Sequence, residues 1–225
     1  MKSAHAFLAL VSLALVSLSH CALSVEQADL RSSAAPSDSS ELAGGVLIAH
    51  HAAGMTYTSD EPPEGWGGRY LSQHQITSAA QQVNRIDATD RAVFWFVLAA
   101  WNEPKTFCGV EFGLGNCDEN AFAIAQYFNC GTSSGPSPLE IPFGNWPGPN
   151  SGIAVVIPNG SWIGNYVPIY GFAGYAYAPG TLIPLRTHPD AGIGGWADCS
   201  VPARFVPITC FGAMGILRNG HSCTP

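Results

Sequence analysis

Cysteine and histidine, seven of each, are the side chains of this chain best suited to chemistry. Cys21 lies in an apolar amino-terminal stretch, which leaves Cys108, Cys117, Cys130, Cys199, Cys210 and Cys223 as an even set. In an oxidising compartment such a set predicts three disulfides. No two of the six stand as Cys-x-x-Cys, the close pairing that zinc sites favour, so no metal and no cofactor is expected. The six fall into two groups of three, and complete pairing within the chain then requires at least one bridge between the groups. His50 and His51 are adjacent; on a strand they point to opposite faces and cannot readily hold one ion. His74, His188 and His221 add no His-x-x-x-His spacing, so surface or strand-end imidazoles are expected.

Three further motifs carry a possible chemistry. Gly131-Thr132-Ser133-Ser134-Gly135 matches the Gly-x-Ser-x-Gly nucleophile turn, but Pro136 and Pro138 forbid the helix that must follow it. A Ser-rich loop is the expectation there. Asn116, Asp118, Glu119 and Asn120 gather oxygen ligands without the calcium-loop register, which predicts a solvated turn. Glu111 stands in an apolar, glycine-flanked run, yet a glycosidase needs a second carboxylate and none is evident, so an outward-facing strand residue is expected. No catalytic residue is assigned. Tryptophan is more informative: Trp66, Trp146, Trp162 and Trp196 all lie in Gly-, Pro- or Asn-rich turns. Flat rings on loops, among amides and hydroxyls, are what a sugar or peptide stacks on, so these four are the candidate ligand-binding residues. The competing expectation is that they fold back to cap a core.

These residues must be positioned by a β-rich scaffold. The chain has 225 residues, 47% apolar and only 11% charged, with 25 Gly and 17 Pro, which argues against long surface helices and charge-rich disorder. A net charge of −7 with nine Lys and Arg leaves too few cations to follow a phosphate backbone, so nucleic-acid binding is excluded. Residues 1–22 read as a signal peptide, with Lys2 before an apolar run and small residues Ala22 and Ser24 at cleavage positions. Cys21 gives the outline of a lipoprotein site, but His20 fills the slot where that site takes a small residue, so no lipid is expected. No membrane span is predicted. Residues 23–43, rich in Ser, Ala and acidic residues, read as a flexible leader, and residues 44–225 as the folded domain.

Within that domain Arg91 to Trp101 is a strand apolar on both faces, as a strand buried on both sides must be. Short apolar runs from Gly44, Cys108, Ala121, Leu139, Ile153, Tyr166, Thr181 and Met214, each bounded by turn residues, predict an all-β fold. The expected architecture is a single β-sandwich, immunoglobulin-like or jelly-roll. One short helix is predicted, from the spacing of Ile76, Ala80 and Val83 after Thr77, while Tyr57 to Tyr70 reads as an irregular loop.

The segments Gly44 to His50, Thr56 to Asp60, Phe94 to Ala100, Ile141-Pro142 with Trp146-Pro147, and Phe172 to Tyr177 resemble uncharacterised secreted proteins of environmental bacteria. That resemblance implies export and a bacterial source, and no site. A fainter pattern, Val93 to Leu98, then Gly109 to Phe112, then Ile169 to Phe172, is similar to cohesin-like sandwiches. The expected function is a secreted, non-catalytic binding, adhesion or surface-structure module facing a glycan or a protein surface. An extracellular hydrolase acting on polysaccharide or peptide is the alternative.

Overall fold

The computed structural model describes residues 39–58, 60–133 and 138–225. The expected signal peptide, Cys21, most of the expected leader and Ser134 to Ser137 lie outside the described residues. Two β-sheets stack face to face. The first has four antiparallel strands, β1 (Val46–His51), β3 (Ala92–Phe107), β5 (Phe122–Asn129) and β8 (Trp162–Ala176), in the order β1-β3-β8-β5. The second gathers eight shorter ones: β2 (Arg85–Ile86), β4 (Gly109–Leu114), β6 (Leu139–Phe143), β7 (Gly152–Val156), β9 (Leu182–Arg186), β10 (Gly195–Ala197), β11 (Phe205–Pro207) and β12 (Ala213–Ile216). In this sheet β4 is central, with β7 along one edge and β10 followed by β9 along the other.

β3 is apolar on both faces because it serves two cores. Val93, Trp95, Val97, Ala99 and Trp101 enter the core between the sheets, while Phe94, Phe96, Leu98 and Ala100 enter a second cluster on the outer face of the first sheet. Burying one large apolar side chain stabilises by roughly 1.5–3 kcal/mol, so a strand with seven such side chains and two alanines anchors the fold. A bulge in β5 between Ile124 and Gln126 changes which side chains face inward. Phe122 and Ile124 turn to the main core before it, and Phe128 turns to the second cluster after it. The Phe128 ring lies so close over Gly171 of β8 that a Cβ there would stand 2.2 Å from it.

The second cluster is closed by a helix where the sequence predicts a loop. α1 spans Pro63–Gln73, with proline in its first turn, and no α-helix forms around Ile76 to Val83, where a 3-10 turn covers only Ala79–Gln81. Gly65, Gly67 and Gly68 each disfavour helix by about 1 kcal/mol relative to Ala, and this weakness makes the segment read as loop. Tertiary packing overrides it: Trp66 and Tyr70, four apart on one helix face, are fully buried against Phe94 and Phe96. Arg69 holds the entry to the helix by an ion pair to Glu61 at 3.0 Å.

Two disulfides form rather than three. Cys108–Cys199 joins the two cysteine groups as the count requires, and Cys210–Cys223 closes the carboxy-terminal segment. Cys117 and Cys130 are thiols. They cannot meet, because Cys117 packs against the core between the sheets and Cys130 belongs to the cluster under α1.

Candidate functional site

A groove of about 280 Å³ runs along β5. One wall is β5 itself, from Phe122 to Tyr127, and the other is the turn Asn145 to Pro149 that follows β6. Among the described residues β5 pairs only with β8, and no other backbone hydrogen bond reaches Ala123 to Phe128. The opposite edge of the same sheet is covered, since Leu47 of β1 donates to the Cys210 carbonyl and accepts from the Gly212 N–H. The groove therefore borders a strand edge with backbone groups on offer.

Its floor is held by a chain of polar contacts through an aromatic cluster. The indole N–H of Trp146 donates to the Tyr170 hydroxyl at 3.2 Å, and that hydroxyl lies 3.5 Å from a Glu140 carboxylate oxygen. Tyr127, 44% exposed, stacks on Tyr170. Across the groove the Glu119 carboxylate lies against Gly148. Asp118 is engaged in the adjacent turn, where its Oδ1 accepts from the Asn120 N–H at 2.9 Å, so the Asn116 to Asn120 segment is the solvated turn expected of it. Cys117 is the one thiol on the lining, and burial, then Glu119 and Asp118, push it up to about 11. At neutral pH it is protonated, and no lining residue is a histidine that could take its proton.

The tryptophans do not form an exposed platform. Trp66, on the inner face of α1, is buried against Phe94 and Phe128, Trp196 packs on Trp101 and Phe107, and Trp162 stacks on the same Phe107. Trp146, nearly buried, alone of the four lines the groove, and Trp162 borders a smaller one of about 140 Å³ on the far side of the sheet. The physical reason is size: the ends of the two cores need large apolar rings to exclude water, and rings next to turns are placed to supply them. Tyr127, which the sequence did not single out, and Glu119, read there only as part of a solvated turn, are exposed groups at the groove. Their signals were an aromatic residue in a strand whose edge lies open and an acid in an adjoining turn.

The remaining chemical candidates are held in structural roles. His50 accepts from the Val83 N–H through Nδ1 at 3.1 Å, whereas Nδ1 of His51 donates to the Arg85 carbonyl at 2.9 Å, so the neighbours adopt opposite tautomers on opposite faces. Burial, with His51 and His74 adding to it, pulls His50 down to about 4, and burial lowers His51 as well. Glu111 does face away from the main core, but the segment joining β9 to β10 folds over it. Glu111 and His188 are 2% and 4% exposed, with Oε1 and Nδ1 3.6 Å apart. Ser133 ends a single 3-10 turn, Cys130–Ser133, and the rest of its motif lies outside the described residues. Cys210, His221 and Cys223 have ligand atoms within 4.8 Å of one another, but both sulfurs are spent in the disulfide.

No protein-family model matches the chain, and no curated protein matches it. Solved structures give likenesses to cohesins. A cohesin module from a family 33 glycoside hydrolase of Clostridium perfringens superposes with a TM-score of 0.41 at 9% identity, over 60% of this chain and 90% of that one. A non-cellulosomal cohesin from the archaeon Archaeoglobus fulgidus gives 0.40 at 9% identity, over 60% and 85%. A type I cohesin–dockerin complex from Clostridium thermocellum gives 0.43 at 11% identity, over 76% and 99%. This chain is thus similar to cohesin modules as a β-sandwich, at a distance from which no residue is carried over.

Proposed function

We propose that the chain is exported, residues 1–22 being removed as its signal, and that its sandwich acts as a non-catalytic binding module through the groove along β5. The observation that carries this reading is the groove's composition. An open strand edge, an exposed tyrosine and a proline-rich turn line it, while its only thiol is held protonated and its histidines are none. Glu119 is the one carboxylate on the lining, where glycoside cleavage takes a pair, so the lining suits gripping a ligand rather than cleaving it. The two disulfides suit an oxidising destination, and no helix of the described residues is long and apolar enough to cross a membrane. The test is a glycan and peptide array probed with the oxidised protein and with Tyr127→Ala. A retained ligand that loses at least tenfold in affinity in the variant, at unchanged melting temperature, is expected. Equal binding by both proteins, or a hydrolytic activity abolished by Glu111→Gln, overturns the proposal.

A further inference from the structure

We propose that the groove takes an extended, cationic peptide, which pairs as an added strand with the edge of β5 and sets a lysine or arginine side chain between Glu119 and Tyr127. This rests on the reading of the groove as the binding surface. The backbone geometry comes first. Among the described residues β5 has no partner on the edge beside the groove, and its strand is regular from Phe122 to Ile124 and again from Gln126 on, with one bulge between. Ala123 and Ala125 are small, so a second backbone can approach that edge closely. Strand addition draws affinity from main-chain hydrogen bonds and specificity from alternate side chains.

Charge then selects the occupant. Glu119 is the one charged residue on the lining, with Asp118 next to it in the chain and Glu140 held at the Tyr170 hydroxyl beyond. Arg186, on β9, is turned towards the Asn150 side-chain oxygen at 3.4 Å. The groove is therefore acidic, and Tyr127 offers an aromatic face on which a cation gains further attraction. Both internal candidates carry the wrong sign. A second copy of the chain has a net charge of −7, and residues 25–38 hold Glu26, Asp29 and Asp38 against the single cation Arg31. A cationic partner is steered to the site, whereas these are repelled.

The experiment uses a fluorescein-labelled octapeptide alternating valine and lysine, a counterpart with glutamate for lysine, and a third with alternate amides N-methylated. Fluorescence polarisation is read with the disulfide-intact protein, with Glu119→Gln and with Tyr127→Ala. The lysine peptide is expected to bind, to weaken at least tenfold on N-methylation and about fivefold or more in Glu119→Gln, and the glutamate peptide is expected not to bind. Binding that is indifferent to N-methylation, to Glu119→Gln or to peptide charge overturns the inference, and needs no destabilised variant to do so. If no peptide binds while a glycan is held and lost in Tyr127→Ala, the peptide inference falls and the binding-module reading stands. If neither class depends on Tyr127, both fall.

Discussion

Glu111 illustrates how one residue's environment is decided by a distant segment. Along β4 the side chains alternate, Val110, Phe112 and Leu114 going to the core, so Glu111 must take the outer face. There the His188 segment covers it, and among the described residues no hydrogen bond reaches either carboxylate oxygen. Burial first, and Asp190 second, push its carboxyl up to about 7 from an ordinary 4.5. A carboxyl whose folded value is raised contributes stability that is fully present below about 4.5 and lost as pH rises through about 7. Glu111→Gln has no such loss. Its stability relative to the parent is expected to improve by about 2–3 kcal/mol between pH 4.5 and pH 8, in chemical denaturation at each pH. A difference independent of pH would show that Glu111 is not buried as a carboxylic acid. Tryptophan at a core end has the opposite signature. Trp196, fully buried with its ring 4.6 Å from that of Trp101, is expected on truncation to Ala to cost about 3–5 kcal/mol at every pH, read as a fall in melting temperature.

Among the elements, the long disulfide matters most. Cys108–Cys199 spans 91 residues and ties the start of β4 to the end of the β10 segment, whereas Cys210–Cys223 spans 13. Because a cross-link restricts the unfolded chain more when its loop is longer, replacing Cys108 and Cys199 by Ser is expected to cost about 4–5 kcal/mol, and replacing Cys210 and Cys223 about 3. Urea midpoints of the two double variants check the order. The strands were largely legible in the sequence: β3 from its two apolar faces, and β1, β4 to β9 and β12 from short apolar runs between turn residues. The short strands β2, β10 and β11, two or three residues each, carry too little pattern to be seen. α1 was hidden because its glycines argue against helix, and only the aromatic faces of Phe94 and Phe96, distant in sequence, reward it. The groove was hidden for a related reason. Sequence places Trp146 beside a turn but does not show its ring turned inward, nor that β5 ends up at a sheet edge.

At the scale of the whole molecule, the buried imidazoles set how the fold answers acid. His50, His51 and His188 lie in three places, under Tyr70, beside Arg85 and over Glu111, and burial is the leading cause that lowers each. A histidine whose folded value is lowered binds its proton more readily in the unfolded chain, so its stability is present above about 6.5 and is lost as pH falls towards the folded value. Around pH 5 the unfolded chain holds more protons than the native state at each imidazole, about one more at His50, and Glu111 takes back somewhat less than one, since it is protonated when folded and mostly ionised when not. Asp198 adds to the acid loss only at lower pH: burial opposes its ionisation, but the hydroxyl of Ser200 and the N–H groups of Ser200 and Arg204 hold it below its usual value. His50 and Glu111 nearly offset each other in this range, so the net fall towards acid is carried by His51 and His188. Stability is therefore expected to drop between pH 6 and pH 4.5, and more steeply in Glu111→Gln, where the opposing proton is gone. Denaturation free energies at half-unit pH steps measure the slope, and a flat profile in Glu111→Gln across that range would mean that the three imidazoles are solvated in the native protein.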